Sequence, residues 1–408
     1  METYNRMIEC REDPQSLEDL YRQDPRGFAA ALPQLVEEEG DSILLQAWEA
    51  RLAGEGERKA KAEGLPLLGL FSLLGGSAAW LLFHFIEKGA LSPATLVLAF
   101  LPVLGGWLLT RSRLGRRQVL GVLGLYALAA LWLFLLPLEE RDSILLSWLH
   151  LPVFLLLLTA WAYGGEGWRR GEKILSYLRF LGELGIIYGA MAAAGLLLSL
   201  LALGLFSSLG WSLEELYFSN IAIFGAGALF PWAAWLARER EGALAPILAR
   251  IFSPLILAAL AVYLPAALLA GGNPFADRDL LLLLNGILGV VLLAALLTAA
   301  SRKAGEGAGA WDVLNALLLF LALVIDFIAL LAAAFRLGAY GLTPNRLAVL
   351  GANLLLGAHG ILILLGYLGL FRGREEASSK LEAALARFLP AYGIWGAFVA
   401  LAFPLLFP

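Results

Sequence analysis

The sequence predicts an all-α fold: a polytopic transmembrane helix bundle of about 11 spans, preceded by a small cytosolic helical module. Three observations carry this. Hydrophobic residues make up 60% of 408 positions and charged residues only 16%, where a soluble domain carries about a quarter charge. Apolar runs of bilayer length follow one another from Leu65 to the C-terminus. The runs are continuous and rich in Leu, Ala and Gly, whereas the strands of a membrane barrel alternate apolar with polar. Each helical residue adds ~1.5 Å, so a core of ~30 Å takes about 20 apolar residues.

Residues 1–63 form the polar module, and 64–408 the membrane domain. Asp13-Pro14 and Asp24-Pro25 each read as an N-cap followed by Pro at the first helical position. Gly40-Asp41-Ser42 ends one helix and starts another. Leu17, Leu20, Phe28, Leu32, Leu35, Val36, Ile43, Leu44 and Trp48 supply apolar faces at helical spacing for two or three short helices. Such a module serves either as a cap on the membrane domain or as a docking site for a protein partner. Its polar start lacks the short apolar core of a cleavable signal peptide.

The spans fall at roughly 65–86, 91–110, 118–137, 144–163, 182–206, 216–236, 251–270, 280–300, 312–335, 347–371 and 389–407. Positive residues collect on cytoplasmic loops, which tests both count and orientation. With the N-terminus inside, 25 of the 30 Lys and Arg lie inside. Lys88, Arg141, Arg278, Arg336 and Arg346 remain outside. The expectation is a cytoplasmic N-terminus and an extracytoplasmic C-terminus. Residues 168–182 and 379–388 mix apolar and basic side chains and read as short amphipathic helices in the interface plane.

Polar residues inside the spans mark the candidate sites. A charged side chain near the bilayer centre costs at least ~2.5–3.5 kcal/mol and needs a partner or water. Asp326 sits in Leu-Val-Ile-Asp-Phe-Ile-Ala. At ~100° per residue it shares a face with Asn315, Ala322, Ala329 and Ala333. Arg346, Asn353, Gly357 and Gly360 make a similar stripe in 347–371, and Arg278, Asn285 and Gly289 one in 280–300. Small residues let helices approach closely around such groups. Asp326, Asn315, Asn285, Asn353 and Arg346 therefore form a candidate polar cavity opening outward, with a buried structural network as the alternative.

The outer loops add a second candidate site, for an anion: Asp277, Arg278 and Asp279 with Thr343, Asn345 and Arg346. Thr343-Pro344 opens a helix whose first amides, beside Arg346, suit a phosphate or carboxylate. The alternative is a capped helix start with Arg346 paired to Asp277 or Asp279. His84, His150 and His359 are dispersed and read as hydrogen-bonded packing residues. Gly185, Gly189 and Ala193, four residues apart, read as a close helix crossing, and Glu183 as a carboxylate reaching the interface. A single cysteine, Cys10, forms no internal disulfide. The residues spell no metal-ligand or redox motif, so no cofactor is expected. Nor do the short basic loops suit nucleic acid. Membrane lipids are the expected partners, and the small-molecule or ion ligand is unspecified.

Four motifs carry a family resemblance. They are Ile251-Phe252-Ser253-Pro254-Leu255-Ile256-Leu257 with Tyr263, Asp277-Arg278-Asp279 before Asn285, Thr343-Pro344-Asn345-Arg346 through Leu354, and Leu389-Pro390-Ala391-Tyr392-Gly393-Ile394-Trp395. Over roughly residues 175–408 the chain resembles a family of bacterial multipass inner-membrane proteins defined by a domain of unknown function. The resemblance implies a bacterial envelope protein and brings no catalytic residues with it.

Three functions compete. A transporter or permease, with or without proton coupling, would use Asp326 as its gate or coupling carboxylate. A scaffold or sensor would act through residues 1–63. An enzyme on a lipid-linked envelope substrate would need Asp277, Asp279, Glu214 or Glu215 as acid or base. The outer-loop acidic motif usual in lipid-sugar transferases is missing from Glu87-Lys88-Gly89-Ala90, so the chain leans away from catalysis.

Overall fold

In the N-terminal unit, the helices that follow Asp13, Asp24 and Ser42 start where the sequence places a cap. The computed structural model describes the chain except residues 1, 39–41, 140, 209–211, 240–243, 245–250, 252, 263–277, 301, 303–307 and 375. For 2, 54–63, 205, 208, 278–280, 282–283 and 300 it describes the backbone alone. The chain divides into two units, Met1–Leu70 and Phe71–Pro408.

The first unit holds α1 (Glu2–Glu9), α2 (Pro14–Gln23), α3 (Pro25–Glu38) and the start of α4 (Ile43–Glu87). Asp13 accepts from the Gln15 amide at 3.0 Å. Asp24 accepts from the Gly27 amide at 2.9 Å and from the Thr3 hydroxyl at 2.9 Å, tying α1 to α3. Those two bonds, the amide first, hold the Asp24 carboxyl below the usual carboxylate range. Leu17, Leu20, Phe28, Leu32, Leu35 and Trp48 are buried as expected, joined by Met7 and Leu45. Ile43 departs from expectation: it is 82% exposed. Leu45 and Trp48, three residues apart, take the inward face, and Ile43 falls outside it. Burying each large apolar side chain contributes about 1.5–3 kcal/mol.

The second unit contains the rest of α4, then α5 (Val97–Leu109), α6 (Arg116–Leu135), α7 (Asp142–Gly164), α8 (Gly171–Ser208), a single turn α9 (Glu214–Leu216) and α10 (Ile223–Glu239). There follow α11 (Ser253–Val262), α12 (Arg278–Ala300), α13 (Ala310–Tyr340), α14 (Pro344–Phe371) and α15 (Ala377–Leu406). A π turn, Tyr217–Ala222, joins α9 to α10. Among the described residues, eight helices are long and apolar enough to cross a membrane. At the predicted spans 91–110 and 251–270 the described apolar helices are shorter, Pro93–Leu109 and Ser253–Val262; at 280–300 the helix runs Arg278–Ala300, with side chains described without a break over Leu284–Ala299. Outward-facing Leu and Phe line α6, α8, α13 and α14. Apolar exposure on that scale fits lipid and no soluble surface. The protein is a multipass integral membrane protein.

The two interface segments differ from expectation. Residues 171–182 are the first turns of α8, and 379–388 belong to α15. No helix-breaking residue separates either from the span it leads into; Pro390 lies within α15 without ending it.

Backbone exposure sets the packing. α15 runs between α7 and α14, α13 between α12 and α14, and α10 against α8. Pro404 has no N–H to give the Ala400 carbonyl. The Ser147 hydroxyl donates to that carbonyl at 2.6 Å and the Trp132 indole N–H at 3.0 Å. A backbone group freed inside lipid is thus satisfied by side chains of α7 and α6. Gly396 of α15 lies against the His150 carbonyl and Val153 of α7, each 3.0 Å from where a Cβ would stand. The crossing predicted at Gly185 and Gly189 is not there: both face outward, with nothing within 4 Å of a Cβ. The close crossing joins Gly75 of α4 to Gly227 of α10, where each glycine's missing Cβ leaves room for the other's carbonyl. Glu183 lies at the inner end of its predicted span. It is buried and accepts from the Leu244 amide.

Candidate functional site

The α13 face read from the sequence is the buried face. Asn315, Ala322, Asp326, Ala329 and Ala333 all point inward. Asn353, Gly357 and Gly360 of α14 are buried as well. The α12 stripe is not: Gly289 faces outward, and Asn285 is half-buried. The Asn285 amide folds onto its own helix, donating to the Leu281 carbonyl at 2.9 Å. Leu284, Leu288, Val291 and Leu292 take the inward face of α12 instead.

These residues do not gather into one cavity. Asn315 donates to the Ala295 carbonyl of α12 at 3.1 Å and to the Tyr367 hydroxyl of α14 at 2.7 Å, knotting three helices. It stands eleven residues before Asp326, about 16 Å along the axis at ~1.5 Å per residue. At the other end, Arg346 Nη1 donates to the Tyr340 and Gly341 carbonyls, each at 2.7 Å. Its guanidinium caps the C-terminus of α13, whose last carbonyls lack helical partners. That cap lies about 21 Å along the axis from Asp326, so Arg346 and Asp326 form no ion pair.

Asp326 occupies a different setting. It is 2% exposed. Its Oδ2 fills the place a Cβ on Gly357 would take, and its Oδ1 has no hydrogen-bond partner among the described residues. The carboxyl lies in a cleft of about 340 Å³ between α13 and α14, with Leu323, Phe327, Leu330, Leu354 and Ile361 on its walls. Phe327 is 62% exposed, and Leu354 and Ile361 also face outward. The cleft therefore opens on the apolar flank of these helices. Asn353 lies one turn of α14 from Gly357, its Nδ2 without a partner among the described residues.

A separate polar pair joins α14 to α15. His359 Nδ1 is 2.8 Å from the Tyr392 hydroxyl, and the ring stacks on Phe388 at 4.6 Å. Sequence reading placed Tyr392 in a motif without assigning it a polar partner. The signal was present: a Tyr two residues after Pro390 in an apolar span needs a hydrogen-bond partner. His84 and His150 bond backbone carbonyls of their own helices, Trp80 and Leu146.

The outer-face set is only partly described. Thr343 caps α14, its hydroxyl accepting from the Arg346 amide at 3.4 Å, and Asn345 is half-buried. Arg278 and Asp279 begin α12; Asp277 and Tyr263 lie outside the described residues. Glu214 and Glu215 face outward in the single turn α9. Among the described residues no group of three His, Cys, Asp or Glu is placed to hold a metal ion. No protein family, curated protein or solved structure matches the chain.

Proposed function

We propose that the protein is a proton-coupled transporter or permease of the bacterial inner membrane, with its N-terminus cytoplasmic and its C-terminus outside. One observation carries the reading: a carboxylic acid buried mid-helix in an apolar cleft, with an oxygen unpartnered among the described residues. Charge there costs at least ~2.5–3.5 kcal/mol, so the site favours neutralisation by a proton or a small cation. Asp326 is the coupling carboxyl in this reading. The His359–Tyr392 pair of α14 and α15 holds further protonatable groups, the residue types of membrane proton relays. The ligand enters through the α13–α14 cleft rather than through a cavity shared with Arg346. The helices at 91–110, 251–270 and 280–300 complete about 11 spans. The positive-charge distribution supports the orientation, and the four motifs support the family and its envelope location.

Proton flux tests the reading directly. Purified protein is reconstituted in liposomes holding a pH-sensitive dye, and a potassium diffusion potential is imposed. Wild type takes up protons faster than empty liposomes, and Asp326→Asn returns the rate to baseline while circular dichroism stays unchanged. Equal rates in the wild type and a folded variant reject Asp326 as the coupling group.

A further inference from the structure

We propose that the groove between the end of α14 and the first turns of α15 binds one anionic glycerophospholipid. The groove has a volume of about 400 Å³, and Arg372, Arg374, Lys380 and Arg387 line it. No carboxylate lines it among the described residues. Lys380 pairs with Glu376 at 2.8 Å, both side chains mostly exposed, a pair that contributes at most ~1 kcal/mol. The three arginines make no ion pair among the described residues. Ala377, the first residue of α15, lines the groove too, so that helix presents its positive dipole end.

The polarity is graded along α14. Arg372 and Arg374 stand at its end. Leu368 is 39% exposed and Leu365 57% exposed, about 6 Å and 10 Å further in at ~1.5 Å per residue. On α14 the order is cations first and apolar wall after, as in a phospholipid's phosphate and acyl chain. On α15 Arg387 stands ten residues in from Ala377, about 15 Å along the axis, beside the apolar stretch. A soluble phosphate would use the cations and leave the leucines idle. Gly366 and Gly369 keep the wall between them open, having no side chains to fill it. Basic pockets at the ends of membrane helices suit phosphate headgroups, and arginine forks match phosphate oxygens in pairs. The site depends neither on the orientation of the chain nor on the role of Asp326.

Native mass spectrometry of the full chain, released from micelles containing phosphatidylglycerol and phosphatidylcholine in equal amounts, tests this. One phosphatidylglycerol is expected to remain bound, preferred over phosphatidylcholine by about tenfold or more, a difference of ~1.4 kcal/mol. The triple variant Arg372→Gln, Arg374→Gln, Arg387→Gln loses the preference. The corresponding triple Lys variant keeps most of it, which separates charge from folding. Leu365→Gln weakens phosphatidylglycerol without changing retention of inorganic phosphate. Equal retention of the two lipids, or an unchanged preference in the Gln variant, overturns the proposal. So does inorganic phosphate displacing the lipid at equal concentration, which would reassign the groove to a soluble anion. If the Gln variant does not fold, the Leu365→Gln comparison alone decides between lipid and soluble phosphate.

Discussion

At the residue scale the governing fact is that lipid supplies no hydrogen bonds. The Ala400 carbonyl, freed by Pro404, shows how the chain responds: two side chains from two other helices converge on it. Ser147→Ala leaves the Trp132 indole still donating, so a loss of about 0.5–1.5 kcal/mol is expected. Adding Trp132→Phe orphans the carbonyl, and the double variant loses more than the two single variants together. Unfolding equilibria in mixed micelles measure all three, and strict additivity contradicts the shared-acceptor account. Asn315 follows the same logic with one amide serving two helices. Asp326 departs from it, keeping one carboxyl oxygen without a partner among the described residues, as do single amide atoms of Asn315 and Asn353. A site that breaks the rule of satisfied polar groups is where function is expected to lie.

At the element scale, the helices of the second unit approach through absent side chains. Gly75 and Gly227 face each other so closely that a Cβ on either meets the other's backbone carbonyl. Backbone cannot rotate aside as a side chain can. Gly227→Val is therefore expected to cost about 2–4 kcal/mol through overpacking and separation of α4 from α10. Gly189→Ala, on the open face of α8, is expected to be neutral or to stabilise by up to ~1 kcal/mol, the helix-propensity gain. Thermal unfolding in one detergent compares the pair; equal losses would show that the crossing is not where the packing energy resides. The same principle places Asp326 against Gly357, so one glycine both brings α13 to α14 and makes room for the carboxylate.

At the scale of the whole molecule, charge sets orientation. With 25 of 30 Lys and Arg assigned to one side, the chain is expected to insert with its N-terminus cytoplasmic. Single cysteines at Glu12→Cys and Pro408→Cys, each in a Cys10→Ser background, report the two ends. A membrane-impermeant maleimide on intact cells is expected to label the second and not the first. Labelling of both, or of the first alone, refutes an odd span count or the assigned orientation. The N-terminal unit has its own buried core of Met7, Leu17, Phe28 and Trp48.

The sequence by itself determined the class of the protein, the caps and the inward face of α13. Each depends on local chemistry: run length against bilayer thickness, Asp before Pro, and helical periodicity. Those terms act over a few residues, so they are readable without a fold. It also found Asp326, since a carboxyl in an apolar run is conspicuous anywhere. Tertiary structure alone decided what surrounds these residues. Arg346 shares a stripe with Asn353 yet spends its guanidinium on the neighbouring helix end, because the α13 carbonyls lie nearer than Asp326. Gly185 and Gly189 have the spacing of a crossing and face outward, while Gly75 and Gly227, with no spacing to announce them, meet. Asn285 and Gly289 lost the inward face of α12 to four aliphatic side chains. Periodicity assigns a residue to a face. Which face meets which neighbour, and at what depth, follows from how all the helices share the available surface, and that is a property of the bundle.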